Sequence, residues 1–352
     1  MWAFKVGYMV VRWLGILSAA SDRWRLSAAP LVTILSWYRL CYDWTISKSM
    51  RGCPGTVSYL NLPYGYPTIK LKCFNTDGSQ TCQKPGHSCV RNVCSFLRMP
   101  SRRLYRRIAR SVNYLVDLLT PGWSLKDLSK APEELLQQCH LLRGPLEGTN
   151  GSFCCGKCGT KMSHPGFVVA DAGQAYETLS DSVVWSSIQN LFARANRVFK
   201  MKTISVMHSR NASVILGGLM HHRYVDRTVF LFSSLQRSLA GFLGFKFFTL
   251  GDVSLHQVCG VPIGGPLSPC VLHVVLSQAE HARDEKLWLR FRDFMAARYV
   301  DDVHMFSFRF CSTCLTQILH STYHGVTKFD PDDKFGIFRS GVVHNYLDLS
   351  AC

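Results

Sequence analysis

The feature that most constrains this chain is a pair of adjacent carboxylates, Asp301-Asp302, set between two runs of strand-forming residues. Phe294 to Val300 and Val303 to Phe308 are rich in aromatic and β-branched side chains, so they predict two antiparallel strands joined at the acidic pair. A hairpin made only for structure prefers Asn-Gly or Asp-Gly at its tip. Two neighbouring aspartates instead disfavour each other's ionisation unless a cation intervenes. The pair therefore points to a divalent metal, with a plain hairpin turn as the bland alternative.

A third carboxylate extends the pattern. Phe167-Val168-Val169-Ala170 reads as a short buried strand, and Asp171 follows it directly. A carboxylate at a strand end, facing a pair at a hairpin tip, suits two oxygen-ligated Mg²⁺ (or Mn²⁺) ions arranged for in-line phosphoryl transfer. Taken singly, Asp171 is more often a cap or an ion-pair partner.

The longest uncharged stretch runs from Val253 to Ala279. Hydropathy alone would suggest a membrane helix there, but Gly260, Pro262, Gly264, Gly265, Pro266 and Pro269 break any helix through its first half. The expectation is no membrane span, and a loop followed by a helix from Pro269 to about residue 290. Further helices are expected over 101–120, 183–200 and 227–243, and a strand over 246–250. Residues 1–50 read as helical and 51–96, rich in Gly, Pro, Cys and Tyr, as irregular.

Three of these segments carry a resemblance. Tyr299-Val300-Asp301-Asp302 matches the Tyr-x-Asp-Asp signature of reverse transcriptases, between two strand-like runs as in that family. Gly260-Val261-Pro262-Ile263-Gly264-Gly265-Pro266-Leu267-Ser268-Pro269, with Gln257 upstream, resembles the Gly/Pro loop that leads into a helix in the same enzymes. Asp171-Ala172-Gly173-Gln174-Ala175-Tyr176 resembles their metal-binding aspartate followed five residues later by an aromatic. Ile263 departs from the Gln that many members carry, and is nearer the retroelement type, Penelope-like elements included.

The resemblance implies an α+β fold: a right-hand polymerase with palm and fingers, a mixed β-sheet and helices packed behind it. Residues 1–96 would be a basic, Cys-rich extension and 97–352 the fingers and palm, with palm motifs over 167–350. His344 to Leu349 resembles the strand region that leads into the family's primer-gripping motif, and the thumb that normally follows is expected to be missing. The implied activity is RNA-directed DNA synthesis from an RNA template, a DNA or RNA primer and dNTPs. Asp171, Asp301 and Asp302 would hold Mg²⁺ or Mn²⁺, and Tyr176 would exclude a 2′-hydroxyl, against the alternative of an ordinary core tyrosine. Gln257, Gly260, Pro262, Gly264 and Gly265 would lie against template and nucleotide, where glycine lets backbone approach closely. Two rival readings remain, a truncated fragment that binds nucleic acid without catalysis and an RNA-directed RNA polymerase.

Composition agrees with a nucleic-acid partner. At 352 residues, 47% hydrophobic and a mean hydropathy of +0.05, the chain is too apolar to be a disordered polyelectrolyte. Its net charge of +17 divides into +14 over residues 1–166 and +3 over 167–352. Within the basic half, Leu104, Ile108, Val112 and Leu115 recur at helical spacing, while Arg102, Arg103, Arg106, Arg107 and Arg110 share another face with Arg98 just before them. Like charges this close repel unless a polyanion neutralises them, so phosphate-backbone contact is favoured over a merely solvated face.

Fifteen cysteines is an odd count in a chain far longer than most disulfide scaffolds, so reduced, mostly buried thiols are expected. Cys155-Gly156-Lys157-Cys158-Gly159 has the form of half a zinc knuckle, with Cys139, His140, Cys154 and His164 as candidate further ligands. Cys73, Cys82, His87, Cys89 and Cys94 form a second cluster without standard spacing, and Cys311 and Cys314 read as core residues. The first residues, basic and acid-free through Ser21, leave organelle targeting open, with nucleus or cytoplasm favoured.

Overall fold

The computed structural model describes residues 24–27, 33–37, 62–69, 90–97, 102–125, 153–172, 175–208, 213–218, 224, 226–250, 253–287, 293–327, 330–331, 344–346 and 349–351. The N-terminal segment weighed for targeting, Arg98, Cys73, Cys82, His87, Cys89, Cys139 and His140 lie outside them.

Along the chain the strands are β1 (Trp24–Leu26), β2 (Tyr64–Ile69), β3 (Val90–Ser95), β4 (Phe153–Cys154), β5 (Lys161–Met162), β6 (Gly166–Asp171), β7 (Thr203–Met207) and β8 (Val214–Leu216). They continue with β9 (Arg227–Leu231), β10 (Phe247–Leu250), β11 (Val253–Gln257), β12 (Met295–Tyr299), β13 (Asp302–Ser307), β14 (Asp330–Pro331), β15 (His344–Tyr346) and β16 (Leu349–Ala351). The helices used below are α1 (Arg102–Leu119), α2 (Ala175–Thr178), α3 (Asp181–Val198), α4 (Phe232–Gly244), α5 (Ser268–Leu287) and α6 (Ser312–Thr322). The class is α+β, as expected; of the described sheets the five-stranded one is mixed and the others, including the one that carries Asp171 and Asp302, are antiparallel.

Two compact units divide the chain: Met1–Leu115 with Tyr176–Val271, and Val116–Ala175 with Leu272–Cys352. The first holds a five-stranded sheet in the order β1-β11-β10-β2-β3, antiparallel except for the parallel β10/β2 pair. It also holds a three-stranded antiparallel sheet, β8-β7-β9. Helix α3 buries Val184, Ile188, Leu191, Phe192 and Ala195 at helical spacing and packs on α4. The Ser180 hydroxyl accepts from the Val183 N–H and fixes where α3 begins.

Several strands depart from the sequence expectation. Tyr64–Ile69 and Val90–Ser95 are paired strands rather than irregular chain, and Trp24–Leu26 is a strand in a region read as helical. Their partners lie far along the chain, Trp24 opposite Gln257 and Tyr64 opposite both Ser95 and Thr249, so no local period marks them. Residues 227–243 are half strand and half helix. The chain passes from β9 straight into α4 at Leu231, without a side-chain cap, which merges the two patterns into one apolar run.

The second unit is built on a four-stranded antiparallel sheet, β12-β13-β6-β14. On β6 and β13 alternate residues are buried, Val168 and Ala170 on one strand and Val303 and Met305 on the other. Helix α6 packs against both strands and buries Cys314, Leu315, Ile318 and Leu319. Period-two burial leaves Asp171 and Asp302 on the half-exposed face. Among the described residues, no helix is long and apolar enough to cross a membrane.

Candidate active site

The hairpin expected from the sequence forms at the acidic pair. Strands β12 and β13 are joined by Val300-Asp301, with Tyr299 opposite Asp302. In the same sheet Asp302 stands directly opposite Asp171, and Asp171 is in turn opposite Asp330 on β14. Three aspartates thus occupy one cross-strand row, and the Asp301 carbonyl beside it accepts the Ala172 N–H at 3.0 Å. Like charges opposed across strands are unfavourable. Asp330 carried no motif, and its place emerges only from the register.

The turn is strained. Val300 has φ 57°, the one described non-glycine residue with positive φ, where a β-branched side chain is disfavoured. What holds it is Arg298, which is 1% exposed and donates from Nη1 to the Val300 carbonyl at 2.8 Å. Fully buried Glu280 on α5 in turn holds the guanidinium through Arg298 Nε and Nη2. Glu280 also accepts the Tyr323 hydroxyl at 2.7 Å and the Trp123 backbone N–H at 2.8 Å. Burial alone would lower the Arg298 guanidinium pKa, but Glu280 and Tyr323 beside it together outweigh this and raise it. Burial and Glu280 together push the Tyr323 hydroxyl well up, so it stays a donor. Sequence reading missed Arg298, although it directly precedes the Tyr299 motif, because nothing local reveals its partner 18 residues away.

In the first unit, the Gly/Pro loop closes on Tyr176. The Val261 N–H donates to the Tyr176 carbonyl at 2.5 Å, and a Cβ on Gly260 (φ 77°) would meet that same oxygen at 2.3 Å. A Cβ on Gly264 (φ 91°) would come within 2.5 Å of the Cys94 carbonyl, whose own N–H bonds Ile263 at 2.7 Å. Both glycines are therefore required by contacts with this chain's own backbone. Gly265 packs over Phe242 and Ser268, and Pro262 accepts the Ser268 hydroxyl at 2.6 Å. Gln257 is fully buried and donates to the Cys259 carbonyl at 2.9 Å. Buried Lys246, unmarked in the sequence, bonds both Asp181 oxygens at 2.8 and 2.7 Å and the Gly260 carbonyl at 3.1 Å, bracing the loop from below.

Of the five arginines on α1, Arg103 and Arg106 are exposed and Arg102 half-buried. Arg107 turns to the Thr228 hydroxyl at 3.1 Å and Arg110 to the Met207 carbonyl at 3.5 Å, both on the three-stranded sheet. That face is thus shared between solvent and internal packing.

Cys155 and Cys158 acquire partners the sequence did not reveal. With Cys311 and Cys314 their sulfurs all lie within 4.8 Å of one another. Among the described residues these four form the one group of three or more such side chains whose ligand atoms converge, and Asp171, Asp301 and Asp302 form no such group. Cys311 and Cys314, expected as plain core residues, lie more than 150 residues from the first pair, beyond any local spacing rule. Cys154 and His164 are exposed and stand outside the cluster. Hydrogen bonding with Thr160, and then with Cys155, lowers the Cys158 thiol to about 6. Burial and the neighbouring thiols push Cys314 up to about 12.

Among solved structures, the chain is similar to telomerase from Candida albicans in complex with the TWJ fragment of telomeric RNA, with a TM-score of 0.51 at 14% identity. That match covers 93% of this chain and 50% of the telomerase. Apo telomerase from Candida tropicalis is similar at 12% identity and a TM-score of 0.49, over 88% of this chain and 52% of its own. The chain thus spans about half the length of these telomerases. At 14% identity the first match is a likeness of fold alone. No family model matches the chain, and no curated protein is similar to it in sequence.

Proposed function

We propose that this chain carries out RNA-templated DNA synthesis, adding deoxynucleotides to the 3′-end of a DNA or RNA primer by two-metal nucleotidyl transfer. The observation that carries the proposal is the register that sets Asp302 of the Tyr-Val-Asp-Asp turn opposite Asp171, with Asp301 in the turn beside them. In this reading the four-stranded sheet is the palm and residues 97–352 comprise fingers and palm. Asp171 and Asp301 hold Mg²⁺ or Mn²⁺ and Asp302 assists. An oxygen-only donor set suits such hard cations, and binding one requires the carboxylates to turn toward each other. The ions, when bound, supply activation of the attacking hydroxyl and charge neutralisation at the triphosphate.

The remaining roles belong to the chain's own groups. Arg298 holds the Val300 carbonyl and with it the turn that presents Asp301. Tyr176, tied to Val261 through its carbonyl, is the residue that excludes a 2′-hydroxyl, and the loop from Gly260 to Pro269, braced by Gln257 and Lys246, positions template and nucleotide. Arg102, Arg103 and Arg106 contact the phosphate backbone, with Arg107 and Arg110 anchoring their helix as well. The fold likeness to telomerase supports a reverse transcriptase, and Pro262-Ile263-Gly264 supports the retroelement type.

Primer extension on an RNA template, with dNTPs and NTPs in parallel reactions, tests this reading. Deoxynucleotides are expected to be strongly preferred, and Tyr176→Ala to relax that preference. Equal use of both by the unmutated protein would overturn the gate and favour an RNA polymerase.

A further inference from the structure

The two Cys-x-x-Cys pairs lie at the opposite end of the palm-like sheet from the carboxylates. Strands β6 and β13 pair from Asp171 opposite Asp302 to Gly166 opposite Ser307, five residues or roughly 17 Å of strand. Beyond Ser307 the chain reaches Cys311 and Cys314 at the start of α6. Before Gly166 it makes the β4–β5 hairpin, whose tip carries Cys155 and Cys158. We propose that Cys155, Cys158, Cys311 and Cys314 form a structural Zn²⁺ site that clamps this hairpin to the first turn of α6.

The geometry fits a closed tetrahedral centre. Zinc–sulfur bonds of about 2.3 Å place tetrahedral sulfurs about 3.8 Å apart. The Cys158 and Cys311 sulfurs are 3.7 Å apart, and all four lie within 4.8 Å. None of the four is in a disulfide, whose sulfurs would stand about 2.05 Å apart.

The surroundings also suit a bound cation's thiolate shell. The Cys311 backbone N–H points at the Cys155 sulfur at 3.4 Å, the kind of outer hydrogen bond that orients a metal ligand. Cys311 is the N-cap of α6 and makes no side-chain capping bond, so its sulfur is available to a metal beside the positive end of the helix. A zinc tetrathiolate carries a net negative charge, and Lys157, between the first pair, brings a cation beside it while donating to Gln317 of α6 at 3.1 Å; Arg309, whose carbonyl accepts the Gly156 N–H at 2.9 Å, is itself paired with Asp293 at 2.8 Å. Four protein ligands leave no open position, which makes the centre structural rather than catalytic. Its distance from the aspartate row says the same.

The full-length chain, produced with zinc available and purified anaerobically in reductant, is to be measured for metal content. One zinc per chain is expected, falling to near zero in Cys158→Ser and restored in Cys158→His, with Cys154→Ser as the neighbouring control that keeps its metal. Replacement by Co²⁺ is expected to give thiolate-to-metal charge-transfer bands and the visible bands of a tetrahedral site. Because Cys158 is exposed, its substitution leaves the core intact, and the unmutated protein alone decides the outcome if a variant fails to fold. Metal-free protein with no cobalt–thiolate bands, a metal content unchanged by Cys158→Ser, or disulfides joining these cysteines under the same conditions would each overturn the proposal.

Discussion

Replacing Glu280 by Gln is the sharpest probe of how the acidic turn is held. The carboxylate is fully buried and accepts four hydrogen bonds, two from Arg298 and one each from Trp123 and Tyr323. An amide of the same shape offers one oxygen, so whichever way it flips, two donors face an NH₂ group. Arg298 is left as a buried cation without its counter-charge. Breaking a buried pair from one side costs about 3–5 kcal/mol, a large share of the ~5–15 kcal/mol that holds a typical domain together. Urea unfolding with linear extrapolation reads this directly, as a lower midpoint at unchanged slope. Arg298→Lys supplies the contrast. It keeps the charge but cannot serve Glu280 and the Val300 carbonyl together, so stability is expected to fall less while kcat for incorporation falls by about 10²-fold, the scale of a ~1 Å misplacement. A stability loss under about 1 kcal/mol for Glu280→Gln, or full kcat in Arg298→Lys, would refute this account of the turn.

Two further outcomes follow from the second unit. Val300→Gly is expected to stabilise the protein by about 1 kcal/mol, because relief of the positive-φ strain exceeds the added freedom of the unfolded chain, and to lower incorporation by loosening Asp301; unfolding midpoints and extension rates check both. Burial, opposed by the Trp123 indole N–H and aided by Glu280, raises the Asp284 carboxyl to about 6. A raised folded pKa means stability is fully present below the unfolded value near 4 and is lost as pH rises through about 6. Asp284→Asn, which keeps an acceptor for Trp123, is therefore expected to unfold at higher urea than wild type at pH 7, with the gap closing toward pH 4; a pH-independent gap would contradict it.

How much could be read from the sequence depended on the range of the interaction. Adjacent carboxylates between β-branched runs gave the hairpin at Asp301, and helical spacing from Leu104 to Leu115 gave the buried stripe of α1, because both patterns are written within a few residues. The alternation that puts Asp171 and Asp302 on one face was not legible in this way, because the apolar runs read as strands that stop short of both carboxylates, whereas β6 and β13 include them. Opacity began where partners lie far apart. Asp330 enters the aspartate row only through strand register, and Glu280 meets Arg298 only once α5 is packed on the hairpin. Cys155 finds Cys311 across 156 residues. Lys246 carried no signal beyond opening a predicted strand, yet it is buried and donates to the Gly260 carbonyl of the Gly/Pro loop. The glycines of that loop were read as room for a ligand, whereas Gly260 and Gly264 also make room for the chain itself.

The most direct test of the central claim is single-nucleotide primer extension on an RNA template with dNTPs and Mg²⁺, comparing the full chain with Asp301→Ala. Metal-dependent incorporation by the wild type, lowered by at least 10³-fold in the variant as expected when a metal-binding carboxylate is removed, is the predicted result. Equal incorporation by the two proteins, or none by a folded wild-type chain that binds primer–template, would contradict it.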